Sequence, residues 1–414
     1  MIPVREALEI ILKDIKTLGT EEVEVLSSPG RVLAEDVVAG RPNPPWDNSA
    51  MDGFALRAED TRGAGPRNPA RLRVIYDLPA GRVPKGPVGK GEAVRIMTGA
   101  PVPEGADSVV MVEKTKAVAD GEALVLEEVP RGANIRKIGE DFPSGTVVIR
   151  KGTRVRPAEV LMLATVGRAH VKVYKRPTAA ILSTGDELVD IDETPEAGKI
   201  TNSNGFALSA LVSEAGATPV QLGIARDTKE SLAEKLAEAV KSDLIISSGG
   251  VSVGDYDLVK DVLGEMGSEM RFWKVAIKPG KPLAFGVIGG KPAFGLPGNP
   301  VSSMVAFEQF TRPALLKMSG RSDIFRRTFP ASVTAEIKKK PGRMNFLRAR
   351  LFIDDSGGFS ATPLEGQGSA VISAMVQANC FIIVPEETSS IKVGETVRVQ
   401  PFDSTVLDTE KYGY

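Results

Sequence analysis

Residues 178–188 have the sequence Thr178-Ala179-Ala180-Ile181-Leu182-Ser183-Thr184-Gly185-Asp186-Glu187-Leu188. The apolar run at the start of this segment predicts a short buried strand, and the polar residues after it predict a loop. The chain continues with a helix pattern at 204–215, a strand at 218–222, a helix at 228–241, a strand at 243–247 and a helix at 256–266. Strands and helices that alternate at this spacing predict a parallel α/β sheet.

Ligands of open parallel sheets bind beyond the carboxyl ends of the strands, and three distinctive loops are expected at that edge. The loops span residues 183–188, 247–257 and 295–303. The third contains a helix start, with Asn299 as the N-cap and Pro300 at the first helical position. In the second, glycines and hydroxyl groups precede a helix, an arrangement that offers backbone N–H groups and a helix dipole to a phosphate.

The second loop matches neither of the common nucleotide-binding motifs. A Gly-x-Gly-x-x-Gly motif would require glycine at the position of Val251. A P-loop would require Lys-Ser/Thr after Gly254, where Asp255 and Tyr256 stand. A dinucleotide or P-loop ligand is therefore disfavoured, and the phosphate of another ligand is favoured over a tight turn that binds nothing.

Two lysines between the second and third loops are candidates for anion binding. If residues 272–278 form one extended strand, Lys274 and Lys278 project from the same face, roughly 13 Å apart at the usual rise per residue. Two ammonium groups on one face suit two separated anionic groups of one ligand. A solvated lysine pair is the alternative, and the neighbouring glycine-rich loops favour the ligand.

Acidic residues near these loops are candidate Mg²⁺ ligands, because Mg²⁺ binds through a few carboxylates together with phosphate oxygens. They are Asp186, Glu187, Asp227, Asp255 and Asp257. Asp227 has an alternative role as a helix cap, since Glu230 follows three residues later. Asp255 and Asp257 would also stabilise the N-terminus of their own helix. Asp186 and Glu187 directly follow a buried strand, so a purely structural role is least expected for them.

The composition excludes several classes of chemistry. The chain has 52 basic and 53 acidic residues, so no global charge attracts nucleic acid or an anionic membrane. The single cysteine, Cys380, lies in an apolar run, which predicts a buried structural thiol rather than a nucleophile or a metal ligand. The single histidine, His170, lies in an alternating strand pattern that disfavours a Ser-His-Asp triad. Carboxylates, lysines, hydroxyls and backbone amides must therefore carry any catalysis.

The remaining segments predict further domains around the α/β region. Residues 1–16 alternate apolar and charged residues at helical spacing, which predicts an amphipathic helix that ends at Gly19 rather than a signal peptide. After a Pro-rich stretch, short strand patterns predict a small β-rich domain, and alternating strands beyond Phe329 predict an all-β C-terminal domain. No apolar run is long enough to span a membrane, so a soluble cytoplasmic protein is expected.

Seven segments together carry a resemblance to a known family. They are Asp47–Gly53, Arg95–Pro103, Gly139–Asp141, Ser183–Leu188, Ser247–Gly254, Lys278–Pro282 and Gly295–Pro300. In this order the segments closely resemble the motifs of molybdopterin molybdenumtransferases, the family that also includes the C-terminal half of gephyrin. The resemblance extends over residues 5–405 and covers nearly the whole chain.

The resemblance implies a multidomain α/β plus β fold. The implied domains are a discontinuous N-terminal and linker domain (1–45 with 142–175), a β-rich domain (46–141), a parallel α/β molybdopterin-binding domain (176–326) and a C-terminal β-barrel (327–414). The resemblance also implies an elongated homodimer. In such a dimer the active site takes the α/β domain from one subunit and the β-rich domain from the other.

The family reaction takes adenylylated molybdopterin and molybdate, releases AMP with Mg²⁺, and leaves the metal on the dithiolene. The catalytic positions implied by the motifs are Asp52, Thr98, Asp141, Glu187, Asp227, Asp257, Lys274 and Lys278, with Glu187, Asp227 and Asp257 as Mg²⁺ ligands. The implied cofactor-binding positions are Thr184, Gly185, Ser248, Gly249, Gly250, Ser252, Gly254, Lys281, Pro297, Gly298, Asn299, Pro300 and Ser369. Asp52, Thr98 and Asp141 come from the resemblance alone, and their motifs also suit turns.

Two other functions remain open from the sequence. The molybdopterin adenylyltransferase shares the α/β domain and is also a candidate physical partner, but the domains on both sides of that module favour metal insertion. A non-catalytic scaffold on the same fold is the second alternative, and the intact acidic and lysine positions disfavour it. Tetrahedral dianions of molybdenum and tungsten make similar contacts, so the sequence predicts molybdate or tungstate without choosing between them.

Overall fold

The structure is a computed structural model that describes residues 1–118, 121–249, 268–354 and 357–403. The chain forms two compact units. The first is drawn from residues 1–34, 152–157 and 170–414, and the second from residues 35–151 and 158–169. Among the described helices, none is both long and apolar enough to cross a membrane. The helix predicted at 256–266 lies outside the described residues.

The first unit is built on a six-stranded sheet. Its strands lie in the order Thr218–Ala225, Thr178–Thr184, Leu244–Ser248, Lys291–Leu296, Ala284–Ile288 and Glu269–Phe272. The first four strands are parallel, and the last two are antiparallel to their neighbours. The predicted parallel α/β sheet is confirmed, and the antiparallel edge is an addition that the alternating pattern did not indicate.

Helices cover both faces of this sheet. Alternate residues of the strand Thr178–Thr184 face two different hydrophobic cores. One core includes residues of the helices Ser203–Glu214, Pro300–Ala306 and Arg312–Met318, and the other includes residues of the helix Lys229–Ala239. A π-helical turn, Phe307–Thr311, connects the helices at 300–306 and 312–318. Because the strand is buried on both faces, it is a continuous apolar run.

The N-terminal helix, Val4–Asp14, packs its apolar side against the larger core of the first unit. The helix ends at Asp14 rather than at Gly19 as predicted, because Ile15 already has an extended backbone. The strand Thr20–Glu24 follows after a short connection and pairs antiparallel with the strand His170–Tyr174. The strand position predicted for His170 is therefore confirmed.

The C-terminal part of the first unit is a closed five-stranded barrel. Its strands follow the order Met344–Ile353, Phe359–Pro363, Phe329–Val333, Thr396–Pro401 and Cys380–Val384, and the last pairs with the first. A short strand pair, Ile337–Lys338 with Ser390–Ile391, and the helix Ser373–Gln377 complete it. Cys380 lies in the barrel core, where burial raises the pKa of its thiol to about 12, so the predicted structural role is confirmed.

The second unit is rich in β-structure. Its six-stranded sheet has the order Ser108–Met111, Gly53–Leu56, Glu92–Ile96, Ala70–Leu78, Glu122–Val125 and Thr115–Val118. Two small pairs lie beside it, Asn48–Ser49 with Ile135–Arg136 and Val37–Val38 with Val147–Ile149. The helix Pro157–Thr165 lies almost wholly in this unit. The strand patterns predicted from the sequence in this region are confirmed.

Gly53 provides a test of the close strand pairing in the second unit. A Cβ atom at Gly53 would overlap the carbonyl oxygen of Val110 on the neighbouring strand. Because that oxygen belongs to the backbone, the strands would have to separate. We expect Gly53→Ala to lower the free energy of unfolding by about 3 kcal/mol in urea denaturation. Gly86→Ala is the control, since its Cβ would meet open space; an equal loss in both variants would contradict the pairing.

Candidate active site

The carboxyl ends of three parallel strands meet at one cavity, which we call the strand-end cavity. Its wall includes Thr184, Ser248 and Gly298, and its empty volume is about 410 Å³. The Gly249 N–H donates to the carbonyl of Leu296 at 3.1 Å. Gly249 has a φ of +91°, and a Cβ atom there would lie 2.6 Å from the Thr184 carbonyl oxygen. Glycine is therefore required where the strand ends approach each other.

Two asparagines at the start of the helix Ser203–Glu214 connect these loops. The Asn204 side-chain amide donates to the Ser248 hydroxyl and to the Gly298 carbonyl, both at 2.8 Å. Asn202 caps the helix by accepting from the Gly205 N–H, and it also accepts from the Ser183 hydroxyl at 2.7 Å. Neither asparagine was predicted. The run of capping residues directly before the helix pattern was the available signal.

The Thr184 hydroxyl is a buried polar group at the wall of this cavity. It has no hydrogen-bond partner among the described residues, and its oxygen is shielded from solvent. A buried polar group left unpaired costs about 1–3 kcal/mol.

The first loop places Glu187 at the rim of the same cavity. Gly185 has a φ of +144°, and the Glu187 carboxylate folds over it so closely that a Cβ atom would overlap it. The Ile200 N–H donates to the Glu187 carbonyl at 2.9 Å, beside the parallel pair Leu188–Val189 and Ile200–Thr201. Glu187 is exposed and lines the cavity, so its carboxylate is accessible to a ligand.

Asp186 and Asp227 bind each other's backbone. The Asp186 N–H donates to the Asp227 carboxylate at 3.3 Å, and the Asp227 N–H donates to the Asp186 carboxylate at 3.2 Å. The helix Lys229–Ala239 is capped by Thr228, whose hydroxyl accepts from the Ser231 N–H. The alternative in which Asp227 caps this helix is therefore wrong, and its carboxylate contacts the first loop instead.

A magnesium site remains a prediction. Within the described residues, no group of three or more His, Cys, Asp or Glu side chains could hold a metal ion. Five of the candidate positions lie outside the described residues, namely Gly250, Ser252, Gly254, Asp255 and Asp257. Glu187 and Asp227 both belong to the loops at the strand ends, and they are the described members of the predicted ligand set.

The third loop enters a helix as predicted, with Asn299 as the N-cap and Pro300 at the helix start. Asn299 makes no side-chain capping bond. The Val301 N–H instead donates to the carbonyl of Ser369 at 3.2 Å. A Cβ atom on Gly280 would lie 3.5 Å from the Ser302 carbonyl. The cofactor-binding candidates at 297–300, Ser369 and the segment around Lys281 therefore approach the same helix start.

The single extended strand predicted over residues 272–278 is wrong. The strand Glu269–Phe272 belongs to the α/β sheet, whereas Ile277–Lys278 pairs with the barrel strand at Met344. Between them, Val275 donates to the Lys281 carbonyl and Ala276 donates to the Ile2 carbonyl, so the backbone changes partners twice. Lys274, Lys278 and Lys281 are all exposed. Lys274 lies in the connection between the two sheets, Lys278 lies in the short strand that pairs with the barrel, and Lys281 follows that strand.

The second unit brings two of the motif-derived residues together. Both the backbone N–H and the hydroxyl of Thr98 donate to one Asp52 carboxylate oxygen at 2.7 Å. These bonds hold the pKa of Asp52 below its usual value, and the bond from the backbone N–H has the larger effect. Asp141 lies elsewhere in the unit and accepts from the Asn43 side-chain amide at 2.9 Å.

Three family models match consecutive parts of the chain. They describe the MoeA N-terminal region (domain I and II) at residues 2–167, a probable molybdopterin binding domain at 180–317, and the MoeA C-terminal region (domain IV) at 330–402. The molybdopterin molybdenumtransferase of Haemophilus influenzae is 38% identical over 93% of this chain and 94% of its own length. That of Bacillus subtilis is 39% identical over 96% of this chain and 93% of its own length.

The chain belongs to the molybdopterin molybdenumtransferase family. A crystal structure of the MoeA protein from Pyrococcus horikoshii OT3 is 34% identical and covers 97% of this chain and all of its own, with a TM-score of 0.83. The family resemblance predicted from the seven motifs is confirmed, as is the multidomain fold that it implied.

One buried charge that the sequence did not indicate supports the loop of Ser369. Arg348 is fully buried, and its Nη2 donates to the carbonyls of Gly366 at 2.8 Å and Gly368 at 3.1 Å. Its Nε and Nη1 have no partner among the described residues, and burial lowers the pKa of the guanidinium. The Gln367 side chain accepts a hydrogen bond from the Arg348 backbone N–H and donates one to the Arg348 carbonyl. An arginine in a predicted strand is expected to be exposed to solvent, so the buried role of Arg348 was not predicted.

Arg348→Lys tests whether the guanidinium holds this loop. A single ammonium group lacks the fork that reaches two carbonyls at once. We expect amide hydrogen exchange in residues 364–369 to accelerate by roughly tenfold, because local opening becomes easier. Arg350→Lys is the matched control, since Arg350 lies on the same strand and is exposed. Unchanged exchange in Arg348→Lys, or equal acceleration in both, would contradict the role.

Proposed function

We propose that this protein inserts molybdate or tungstate into adenylylated molybdopterin and releases AMP, and its membership of the molybdopterin molybdenumtransferase family supports the proposal. The reaction requires cleavage of the phosphoanhydride bond that joins AMP to the pterin phosphate. Such a step depends on positioning and on neutralisation of developing charge rather than on a covalent nucleophile. A chain with one cysteine and one histidine can therefore perform it.

The strand-end cavity is the observation that supports the proposal best. It combines the backbone of Gly249, the exposed carboxylate of Glu187 and the helix start at Pro300. A helix start and glycine-rich backbone favour a phosphate, and a rim carboxylate favours a divalent ion beside it. These are the groups that a phosphorylated pterin bound with Mg²⁺ requires.

In the proposed mechanism each group has a separate task. The loop that begins at Gly249 cradles the pterin phosphate. Lys274 and Lys278 neutralise charge on the phosphoanhydride and on the incoming oxyanion, which attacks or displaces phosphate. Glu187, with Asp227 and Asp257, would hold Mg²⁺, which supplies further charge neutralisation when bound.

The proposal includes the domain arrangement and the assembly that the family resemblance implies. The four domains are residues 1–45 with 142–175, 46–141, 176–326 and 327–414. The homodimer would supply Asp52, Thr98 and Asp141 of one subunit to the α/β domain of the other. The protein would work in the cytoplasm, where molybdopterin adenylyltransferase provides its substrate.

Release of AMP tests this function. Purified protein is given adenylylated molybdopterin, Mg²⁺ and either molybdate or tungstate, and AMP is quantified by chromatography. We expect Lys278→Ala and Glu187→Gln each to lower the rate about a hundredfold, the usual effect of losing one group that stabilises developing charge. The oxyanion that gives the faster rate identifies the preferred metal.

Lys241→Ala is the matched control for the lysine variant. Lys241 is an exposed lysine that precedes the strand Leu244–Ser248. It therefore lies at the amino ends of the strands, on the side of the sheet opposite the strand-end cavity. We expect it to turn over as the wild type does. Undiminished AMP release in Lys278→Ala and Glu187→Gln would contradict the mechanism. Pyrophosphate release from ATP and molybdopterin would instead indicate the adenylyltransferase reaction.

A further inference from the structure

The first unit contains a second cavity, which we call the arginine cavity. Its empty volume, part of it continuous with solvent, is about 710 Å³. Arg31, Arg154, Arg176 and Arg321 line it, and Glu214 is the one acidic residue among the described residues of its wall. The whole lining belongs to the first unit and contains none of the candidate active-site residues. Four guanidinium groups at one cavity require an explanation, because like charges repel each other.

The arginine cavity lies at the far end of the helix Ser203–Glu214, which begins at the strand-end cavity. Asn202 and Asn204, at the start of the helix, line the strand-end cavity. Ser213 and Gly216, at its other end, line the arginine cavity. A helix of 12 residues is about 18 Å long at the usual rise per residue. The two cavities are therefore separate, and a ligand of one is not in contact with a ligand of the other.

Three carboxylates beside the arginine cavity each have an arginine of their own. These pairs are Glu21 with Arg31, Glu214 with Arg326, and Asp323 with Arg321. The Arg321 fork binds both oxygens of Asp323, at 3.0 Å through Nε and at 2.6 Å through Nη2. The acidic residues near the cavity are thus already neutralised, and they do not balance further positive charge.

Arg154 and Arg176 supply positive charge beyond these pairs. Both are exposed, and neither makes a salt bridge to a described carboxylate. The hydrogen bond from Arg321 holds the pKa of Asp323 below its usual value, and the charge of Arg154 lowers that pKa further. Because both cations act on one carboxylate, Arg154 lies close to Arg321. The cavity therefore carries an excess of about two positive charges, a local field that attracts anions.

Hydrogen bonds between distant segments fix the backbone around the cavity. The Gly30 N–H donates to the Val155 carbonyl at 2.8 Å, and the Val155 N–H donates to the Arg31 carbonyl at 2.9 Å. The Tyr174 N–H donates to the Val32 carbonyl at 3.0 Å. The segments that carry the arginines are therefore in place before a ligand arrives, which lowers the entropic cost of binding.

Gly320 brings Arg321 to the cavity wall. Its φ is +81°, and a Cβ atom there would overlap the ring of Tyr174. The helix Arg312–Met318 ends at this glycine, and the Arg321 N–H donates back to the Leu316 carbonyl at 3.1 Å. This is the Schellman ending of a helix, in which glycine adopts the left-handed conformation and the next residue closes the turn. Arg321 is thus held by its backbone as well as by Asp323.

We infer that the arginine cavity binds a tetrahedral oxyanion with two negative charges, as an anion site separate from the strand-end cavity. The planar guanidinium groups of Arg154 and Arg176 offer pairs of N–H donors that match the spacing of such oxygens. Two negative charges balance the excess of positive charge and relieve the repulsion among the four arginines. Phosphate and molybdate share this chemistry and could each be the source. The site itself goes beyond the proposed function, and only the choice of molybdate as a probe rests on it.

Thermal unfolding of the full-length chain tests for the site. An anion that binds only the folded state raises the melting temperature. We expect phosphate at about 10 mM to raise the melting temperature by about 2 °C, relative to chloride at the same ionic strength. Molybdate is measured in the same way, and the anion with the larger effect identifies the source. No rise with either anion would overturn the inference.

The double variant Arg154→Gln, Arg176→Gln locates the binding. It should lose the anion-dependent rise, whereas Arg398→Gln should keep it, since Arg398 is an exposed arginine of the barrel that does not line the cavity. Without added anion the double variant should be at least as stable as the wild type, because two repelling charges are removed. An undiminished rise in the double variant would contradict the site. A double variant that is less stable without anion, and loses no more of the rise than Arg398→Gln, would assign the arginines a structural role.

Lys278→Ala distinguishes this site from the candidate active site, which is also proposed to bind anions. We expect this variant to keep the anion-dependent rise. Hydrogen exchange should show that the anion slows amide exchange in residues 213–216 and 319–321 of both the wild type and Lys278→Ala, because ligand binding suppresses local opening. Loss of the rise in Lys278→Ala, with slower exchange only at the strand ends, would place the anion in the active site and overturn the inference. Neither result depends on AMP release, so failure of the proposed reaction would leave this test intact.

Discussion

The close approach of the Gly249 backbone to the end of the neighbouring strand is the constraint on which the candidate site depends. Gly249 binds the Leu296 carbonyl through its N–H, and the space beside its Cα is filled by the carbonyl of Thr184. This packing brings three strand ends to one point, so that the Asn204 amide can donate to both Ser248 and Gly298. The strand-end cavity exists because these ends converge.

Several buried polar groups have no hydrogen-bond partner among the described residues. They include the Thr184 hydroxyl at the wall of the strand-end cavity and two nitrogens of Arg348 behind the loop of Ser369. Each is a cost that an apolar side chain would avoid. Both groups belong to segments that carry candidate ligand-binding residues.

Much of the fold followed from the sequence, because periodicity reports local structure and burial. The sheet of the first unit, the helix start at Pro300 and the buried Cys380 were predicted from pattern alone. Contacts between distant segments were not. The strand expected over 272–278 is divided between two sheets, and Thr228 rather than Asp227 caps its helix. Asn204 acts through partners 44 and 94 residues away, and Arg348 acts through its burial; the spacing of residues reveals neither.

The most direct measurement is AMP release by Gly249→Ala compared with Gly223→Ala. Both glycines have positive φ, +91° and +74°, so both variants carry similar backbone strain. A Cβ atom at Gly249 would press on the Thr184 carbonyl, whereas at Gly223 it would meet open space. We predict that only Gly249→Ala slows AMP release, by about a hundredfold. Loss of one group that stabilises charge in the transition state has an effect of this size. Equal turnover by the two variants would contradict the requirement for converging strand ends.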